Sequence, residues 1–161
     1  MGSRYRGNES EVRALSAFIN LTRASESLVA RQARRLAEED LTVSQWGVLE
    51  ALYHVGPMPQ KDLCRKLLKS GGNITMVVNN LERRALVARK HVKGDRRFLQ
   101  IHLTAKGRRT VERVLPGHVD GIVRDMERLA PGEMEELRRL CRKVGTAPED
   151  EQEKEETDGQ G

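Results

Sequence analysis

No run of apolar residues in this chain is longer than four, Ala85 to Ala88, so no segment can be buried on every side. Such a chain folds through elements that each carry one apolar and one polar face. Nothing approaches the roughly 20 consecutive apolar residues that cross a bilayer, and no apolar secretory-signal centre is present, so a cytoplasmic location and no membrane partner are expected. Charged residues make up 33% of the 161 and aromatic residues 3%, a balance suited to helices with solvated outer faces. At ~100–200 residues per domain, the length predicts one domain, residues 9–147.

The periodicity predicts where the helices lie. From Glu9 to about Glu38, Val12, Leu15, Phe18, Ile19, Leu28, Val29 and Leu36 recur mostly at three- and four-residue steps without Gly or Pro, giving one long helix after a frayed start. Thr42-Val43-Ser44-Gln45 is a capping box that opens a second helix carrying Trp46, Leu49, Leu52 and Tyr53, which His54-Val55-Gly56-Pro57 ends. A third runs from about Pro59 to Leu68 with Leu63, Cys64, Leu67 and Leu68 as its stripe. Ser70-Gly71-Gly72-Asn73 then reads as a glycine-rich turn into a fourth helix with Ile74, Val77, Val78 and Leu81 inward. Three short helices with a tight turn before the last predict a helix-turn-helix.

Leu86–Lys90 and Phe98–Leu103 are strand-like around a tip at Val92-Lys93-Gly94-Asp95, a two-stranded wing. Thr104 caps a helix reaching about Leu129, with a bend expected at Pro116-Gly117, and a last helix spans Pro131 to Gly145. The fold class expected is mostly α with a two-stranded β wing: a DNA-binding lobe over about 42–103, and dimerisation helices over about 9–38, 104–129 and 131–145. Residues 148–161 carry seven acids against one lysine and are expected to be a disordered acidic tail.

Without that tail the net charge rises from +5 to +11, and Leu81–Arg113 alone holds eleven Lys/Arg against three acids. This is the footprint of a phosphate-backbone binder, and double-stranded DNA is the predicted partner. On the fourth helix the period places Asn73, Met76, Asn80 and Arg83 opposite the apolar face. There an Asn can bond adenine in bidentate fashion and a Met can touch a thymine methyl. Ser70, Gly71 and Gly72 bring backbone N–H groups to phosphates at the positive end of that helix. At the tip, Lys93, Arg96 and Arg97 can place a guanidinium in a narrow minor groove, with Asp95 holding a neighbouring arginine in orientation.

The element order, the segment Leu41–Leu49 (LTVSQWGVL), the helix Thr75–Glu82 (TMVVNNLE) and the wing string Asp95-x-Arg97-x-x-x-Ile101-x-Leu103-Thr104, followed by Lys106-Gly107, closely resemble the MarR family of winged-helix regulators. The resemblance covers roughly residues 10–145. It implies a homodimer joined through the first helix and the last two, bound to a pseudo-palindromic operator. It also implies that Asp95 orients Arg97, that Thr75 lies on the recognition helix, and that a small-molecule effector binds near Phe18, Trp46 and Tyr53. Ala85 stands where the family usually has glycine, and Pro59 where a Ser or Thr often caps.

The reading is thus a sequence-specific transcriptional repressor released by a small ligand. The alternatives are a thiol-based redox-sensing regulator and an architectural DNA-binding protein without effector. Cys64 is expected as core filler and Cys141 in the dimer interface. His54, His91, His102 and His118 lack ligand spacing, so neither metal nor cofactor is predicted. No phosphate loop, nucleophile elbow or Cys/His pairing supports an enzyme.

Overall fold

The structure is a computed structural model describing residues 5–92 and 95–145, except for the side chains of residues 92 and 95–97. Expectations for residues 1–4, for Lys93 and Gly94, and for the tail fall outside the described residues. Among the described residues the order is α1 (Glu9–Ala37), α2 (Val43–Val55), α3 (Gln60–Leu67), α4 (Gly71–Arg83), β1 (Val87–Val92), β2 (Asp95–Leu103), α5 (Ala105–Met126) and α6 (Pro131–Gly145). The contacts divide the chain into two compact units, one ending at Ile122 and one beginning at Val123, within α5.

The first unit carries the core. Val48 and Leu49 of α2, Leu63 of α3, Ile74, Val78 and Leu81 of α4, and Val111 of α5 have no exposed surface. Burying each such side chain contributes about 1.5–3 kcal/mol relative to leaving it in water. The antiparallel β1–β2 pair lies against this core through Val87 and Ile101, with Leu86, just before β1, buried beside them. A further single-residue bridge joins Ile101 to Met58, with Ile101 N–H donating to Met58 C=O at 2.9 Å, so β2 is paired on both edges at that point.

Local chemistry sets the element ends. Thr42 and Gln45 form the expected capping box, and Gly56 stops α2 at φ 95°. The start of α1 is more ordered than expected: Asn8 caps it in a reciprocal box with Glu11. Gly71, Gly72 and Asn73 are the first turn of α4 itself and not a turn before it, with Ser70 as N-cap. None of these glycines has positive φ, because a helix begun by a Ser cap needs no left-handed residue.

Three helices end instead on non-glycine left-handed residues, Asp40, Leu68 and Ala85, at φ 54°, 50° and 55°. After α4 the N–H of Leu86 donates to Leu81 C=O and that of Ala85 to Glu82 C=O, both at 2.9 Å. This is a Schellman closure, and Ala85 occupies the position where glycine is unstrained. Leu68, expected in the apolar stripe of α3, is 90% exposed because the same closure turns it outward. Pro59 offers no side-chain cap to α3. α5 runs unbroken through Pro116 and ends at Met126.

In the second unit α6 has no buried residue, and Leu137, Leu140 and Val144 are exposed. α1 is comparable: of its 29 residues only Leu36 is buried.

Candidate nucleic-acid interface

The face of α4 away from the core is set by the inward positions Ile74, Val77, Val78 and Leu81. At 3.6 residues per turn, the line opposite them runs through Gly72, Met76, Asn79 and Arg83. These four and Thr75 are exposed, Met76 at 67%. Together with Glu82 they line an open concavity. Asn73 and Asn80, placed by sequence on the exposed face, sit on its flank and are half-buried. Asn79 takes the outward place, a distinction of one helical step.

The first turn is open. A Cβ at Gly71 or Gly72 would meet nothing within 4 Å, and the N–H groups of both precede the first intrahelical bond, from Ile74 N–H to Ser70 C=O at 3.1 Å. Ser70 Oγ accepts from Asn73 N–H at 3.4 Å. The positive end of the α4 dipole therefore faces solvent with small residues around it.

Several polar groups of α4 are engaged inside the protein. Gln45 Nε2 donates to Asn80 Oδ1 at 3.0 Å. Gln60 Nε2 donates to Thr75 Oγ1 at 2.7 Å, and that hydroxyl donates to Gly71 C=O at 2.8 Å. Arg89 of β1 donates its backbone N–H to Glu82 Oε1 at 3.0 Å, its guanidinium to Glu82 Oε2, and a second guanidinium nitrogen to Asn79 Oδ1 at 2.7 Å. The wing strand is thereby fastened to the recognition helix.

β1 and β2 pair from Val87 with Leu103 out to Val92 with Asp95, so both strands are longer than expected. Lys93 lies outside the described residues; Asp95, Arg96 and Arg97 are placed by backbone only, in β2. Not all the eleven basic residues are left for a partner. Arg113 is paired with Glu39, Arg84 donates to Asp40 C=O at 2.6 Å, Lys106 donates to Arg84 C=O at 3.0 Å, and Arg108 lies 5.3 Å from the Tyr53 ring centroid.

The three aromatics expected at an effector site differ in environment. Phe18 is 66% exposed, Tyr53 is half-buried with its ring edge-on to His54, and Trp46 is buried. Trp46 packs against His118 of α5 with ring centroids 4.9 Å apart and planes tilted by 50°, and Trp46 Nε1 and His118 Nδ1 are both buried with no hydrogen-bond partner among the described residues. Burial lowers the His118 pKa, opposed by the nearby Glu50 carboxylate and reinforced by Arg35. The Arg35 side chain crosses Gly121, where a Cβ would come within 2.5 Å of its Nε. Sequence spacing gave no reason to single out His118, because its partners come from other helices. Cys64 is half-buried, as befits core filler, and Cys141 is exposed in α6. Among the described residues no group of three or more His, Cys, Asp or Glu could hold a metal ion, and no helix is long and apolar enough to cross a membrane.

A helix-turn-helix with an exposed second helix and a basic two-stranded wing fastened to it defines a winged-helix DNA-binding protein. The comparisons narrow this further. A MarR family model matches residues 39–97. The chain is 33% identical over 139 residues to the HTH-type transcriptional regulator YkoM of Bacillus subtilis, covering 86% of this chain and 90% of that one. It also resembles the solved structure of Bordetella bronchiseptica BpsR, whose DNA binding is regulated by 6-hydroxynicotinic acid. That likeness has a TM-score of 0.74 and 28% identity, over 81% of this chain and 98% of BpsR. Sco3205 of Streptomyces coelicolor, solved in complex with DNA, shares the fold at TM-score 0.77 and 22% identity, over 89% of this chain and 91% of its own. The chain belongs to the MarR family and is a transcriptional regulator.

Proposed function

We propose that the chain acts as a homodimeric repressor that leaves a pseudo-palindromic operator when a small hydroxylated aromatic acid binds beside Trp46 and His118. The observation that carries the effector half is the pair of buried ring nitrogens, Trp46 Nε1 and His118 Nδ1, neither bonded among the described residues. Leaving a buried donor or acceptor unmade costs about 1–3 kcal/mol, which a ligand supplying the missing partner recovers. BpsR, regulated by such an acid, supports the class. Tyr53 and Phe18 complete the proposed lining. Trp46 directly follows Gln45, whose amide holds Asn80 of α4, so a shift of α2 on binding reaches the recognition helix.

Dimerisation is supported by α1, since a 29-residue helix with one buried residue leaves Leu15, Phe18, Leu21 and Val29 in water. A second copy covering α1 and the exposed leucines of α6 removes that cost. Two recognition helices then enter successive major grooves ~34–36 Å apart. In each lobe Ser70, Gly71 and Gly72 approach phosphate, Thr75, Met76, Asn79 and Arg83 face base edges, and Lys93, Arg96 and an Asp95-oriented Arg97 follow the minor groove. A ligand favouring another separation weakens binding without touching DNA.

Trp46 is the only tryptophan, so its fluorescence reports the proposed site directly. Titrating the dimer with 6-hydroxynicotinic and 4-hydroxyphenylacetic acids is expected to quench it saturably and to lower affinity for DNA from the protein's own promoter in parallel. Unchanged fluorescence and unchanged DNA affinity with every acid refute the effector reading, and a monomer by light scattering refutes the dimer.

A further inference from the structure

Of the side chains between Gly71 and Arg83, five carry an oxygen acceptor: Asn73, Thr75, Asn79, Asn80 and Glu82. Each of the five is buried or already engaged within the protein. Asn73 Oδ1 is buried. Thr75 Oγ1 is held between Gln60 Nε2 and Gly71 C=O. Both Glu82 oxygens face Arg89, and Asn79 Oδ1 faces the same guanidinium.

The amide orientations follow from chemistry. Arginine has only donors, so the oxygen of Asn79 must be the atom turned toward Arg89, which turns its NH2 away. Gln45 Oε1 accepts the backbone N–H of Thr42 at 2.9 Å, so its nitrogen faces Asn80 and the Asn80 oxygen receives it.

Resting on the DNA-binding reading of α4, we infer that this helix reads the major groove as a surface of donors and methyl groups, with Arg89 the positioning residue that sets Asn79 as a donor. What remains outward is the NH2 of Asn79, the guanidinium of Arg83, the methyl of Thr75 and the thioether of Met76. Guanine offers N7 and O6 as acceptors, and thymine offers O4 and a methyl; both edges fit. The amino groups of adenine N6 and cytosine N4 are donors, and the helix meets them with side-chain acceptors that are already buried or bonded within the protein. The bidentate Asn–adenine contact expected from sequence needs oxygen and nitrogen presented on one edge, and Asn79 presents nitrogen alone.

The test uses the full-length wild-type dimer and an operator selected from a pool of randomised duplexes. Within the half-sites, adenine is replaced by purine and cytosine by its 4-deamino analogue, deleting only the amino group. Separately, guanine is replaced by 7-deazaguanine and thymine by uracil. The amino deletions are expected to change affinity less than about twofold, and 7-deazaguanine or uracil at a contacted position to weaken it about fivefold or more. An amino deletion that costs as much as 7-deazaguanine overturns the inference while leaving the regulator reading intact. Failure to select any sequence overturns the regulator reading itself.

The Arg89→Met variant frees the Asn79 oxygen and the Glu82 carboxylate, and reselection is expected to admit adenine or cytosine at the facing pair. An unchanged selected sequence from a folded Arg89→Met dimer refutes the positioning role. Should that variant not fold, Asn79→Leu leaves the Arg89–Glu82 pair in place and is expected to lose preference at one base pair only. Preference unchanged in Asn79→Leu refutes the donor assignment.

Discussion

Gln45 Nε2 donates to Asn80 Oδ1 at 3.0 Å across 35 residues of sequence, while its Oε1 accepts the Thr42 N–H at 2.9 Å. One buried side chain thus closes the start of α2 and ties it to the middle of the recognition helix. Gln45→Ala removes both bonds and is expected to cost about 1–2 kcal/mol in urea unfolding. It should also reduce operator affinity more than affinity for scrambled duplex, as competition binding would show.

Ala85 sits at φ 55° in the closure after α4. A left-handed alanine costs roughly 1–2 kcal/mol, partly offset by the greater unfolded-chain freedom of glycine. Ala85→Gly is therefore expected to stabilise the fold by about 0.5–1 kcal/mol, measured as a rise in the denaturant midpoint at constant slope.

Gly107 has the opposite constraint. A Cβ there would lie 2.0 Å from Leu86 C=O, backbone that also receives the Thr104 N–H at 3.1 Å. Gly107→Ala must push α5 off the turn between α4 and β1, and a loss of about 2 kcal/mol or more is expected in thermal or denaturant melts. A variant as stable as wild type contradicts the close approach.

His118 is held neutral chiefly by burial, with its folded pKa below the ordinary value of 6.5. The unfolded chain therefore binds the proton first, and stability contributed by the neutral ring falls as pH drops from near 6.5 toward the folded pKa. His118→Phe keeps an aromatic against Trp46 and removes the titration. The decline in Tm from about pH 7 to 5 should be shallower in the variant.

Arg113 belongs to the basic cluster by sequence but is paired with Glu39. With both side chains partly exposed, Arg113→Gln is expected to cost no more than about 1 kcal/mol. It should leave the salt dependence of DNA binding unchanged, whereas a true phosphate contact reduces the log–log slope by about one.

The elements that were legible are those whose signals are local. The Thr42–Gln45 box, the apolar repeat of α4, the Thr104 cap and the alternating wing each lie within a few residues of what they specify. Asn8 as a cap is carried by an equally local signal, Glu11 three positions on. The candidate site was readable only as a face. Choosing Asn79 over Asn80 turns on one helical step, and the partners that decide what each amide presents lie on α2 and β1.

The sequence by itself determined the order of helices and strands, the basic lobe and the family, because periodicity, caps and charge density are properties of neighbouring residues. The tertiary structure alone decided which polar atoms remain available. Arg89 reaches Glu82 and Asn79, Gln45 reaches Asn80, and Trp46 meets His118 across distances the chain closes only by folding. A hydrogen-bond acceptor engaged within its own protein has less capacity left for a partner, and that engagement depends on residues far away in sequence.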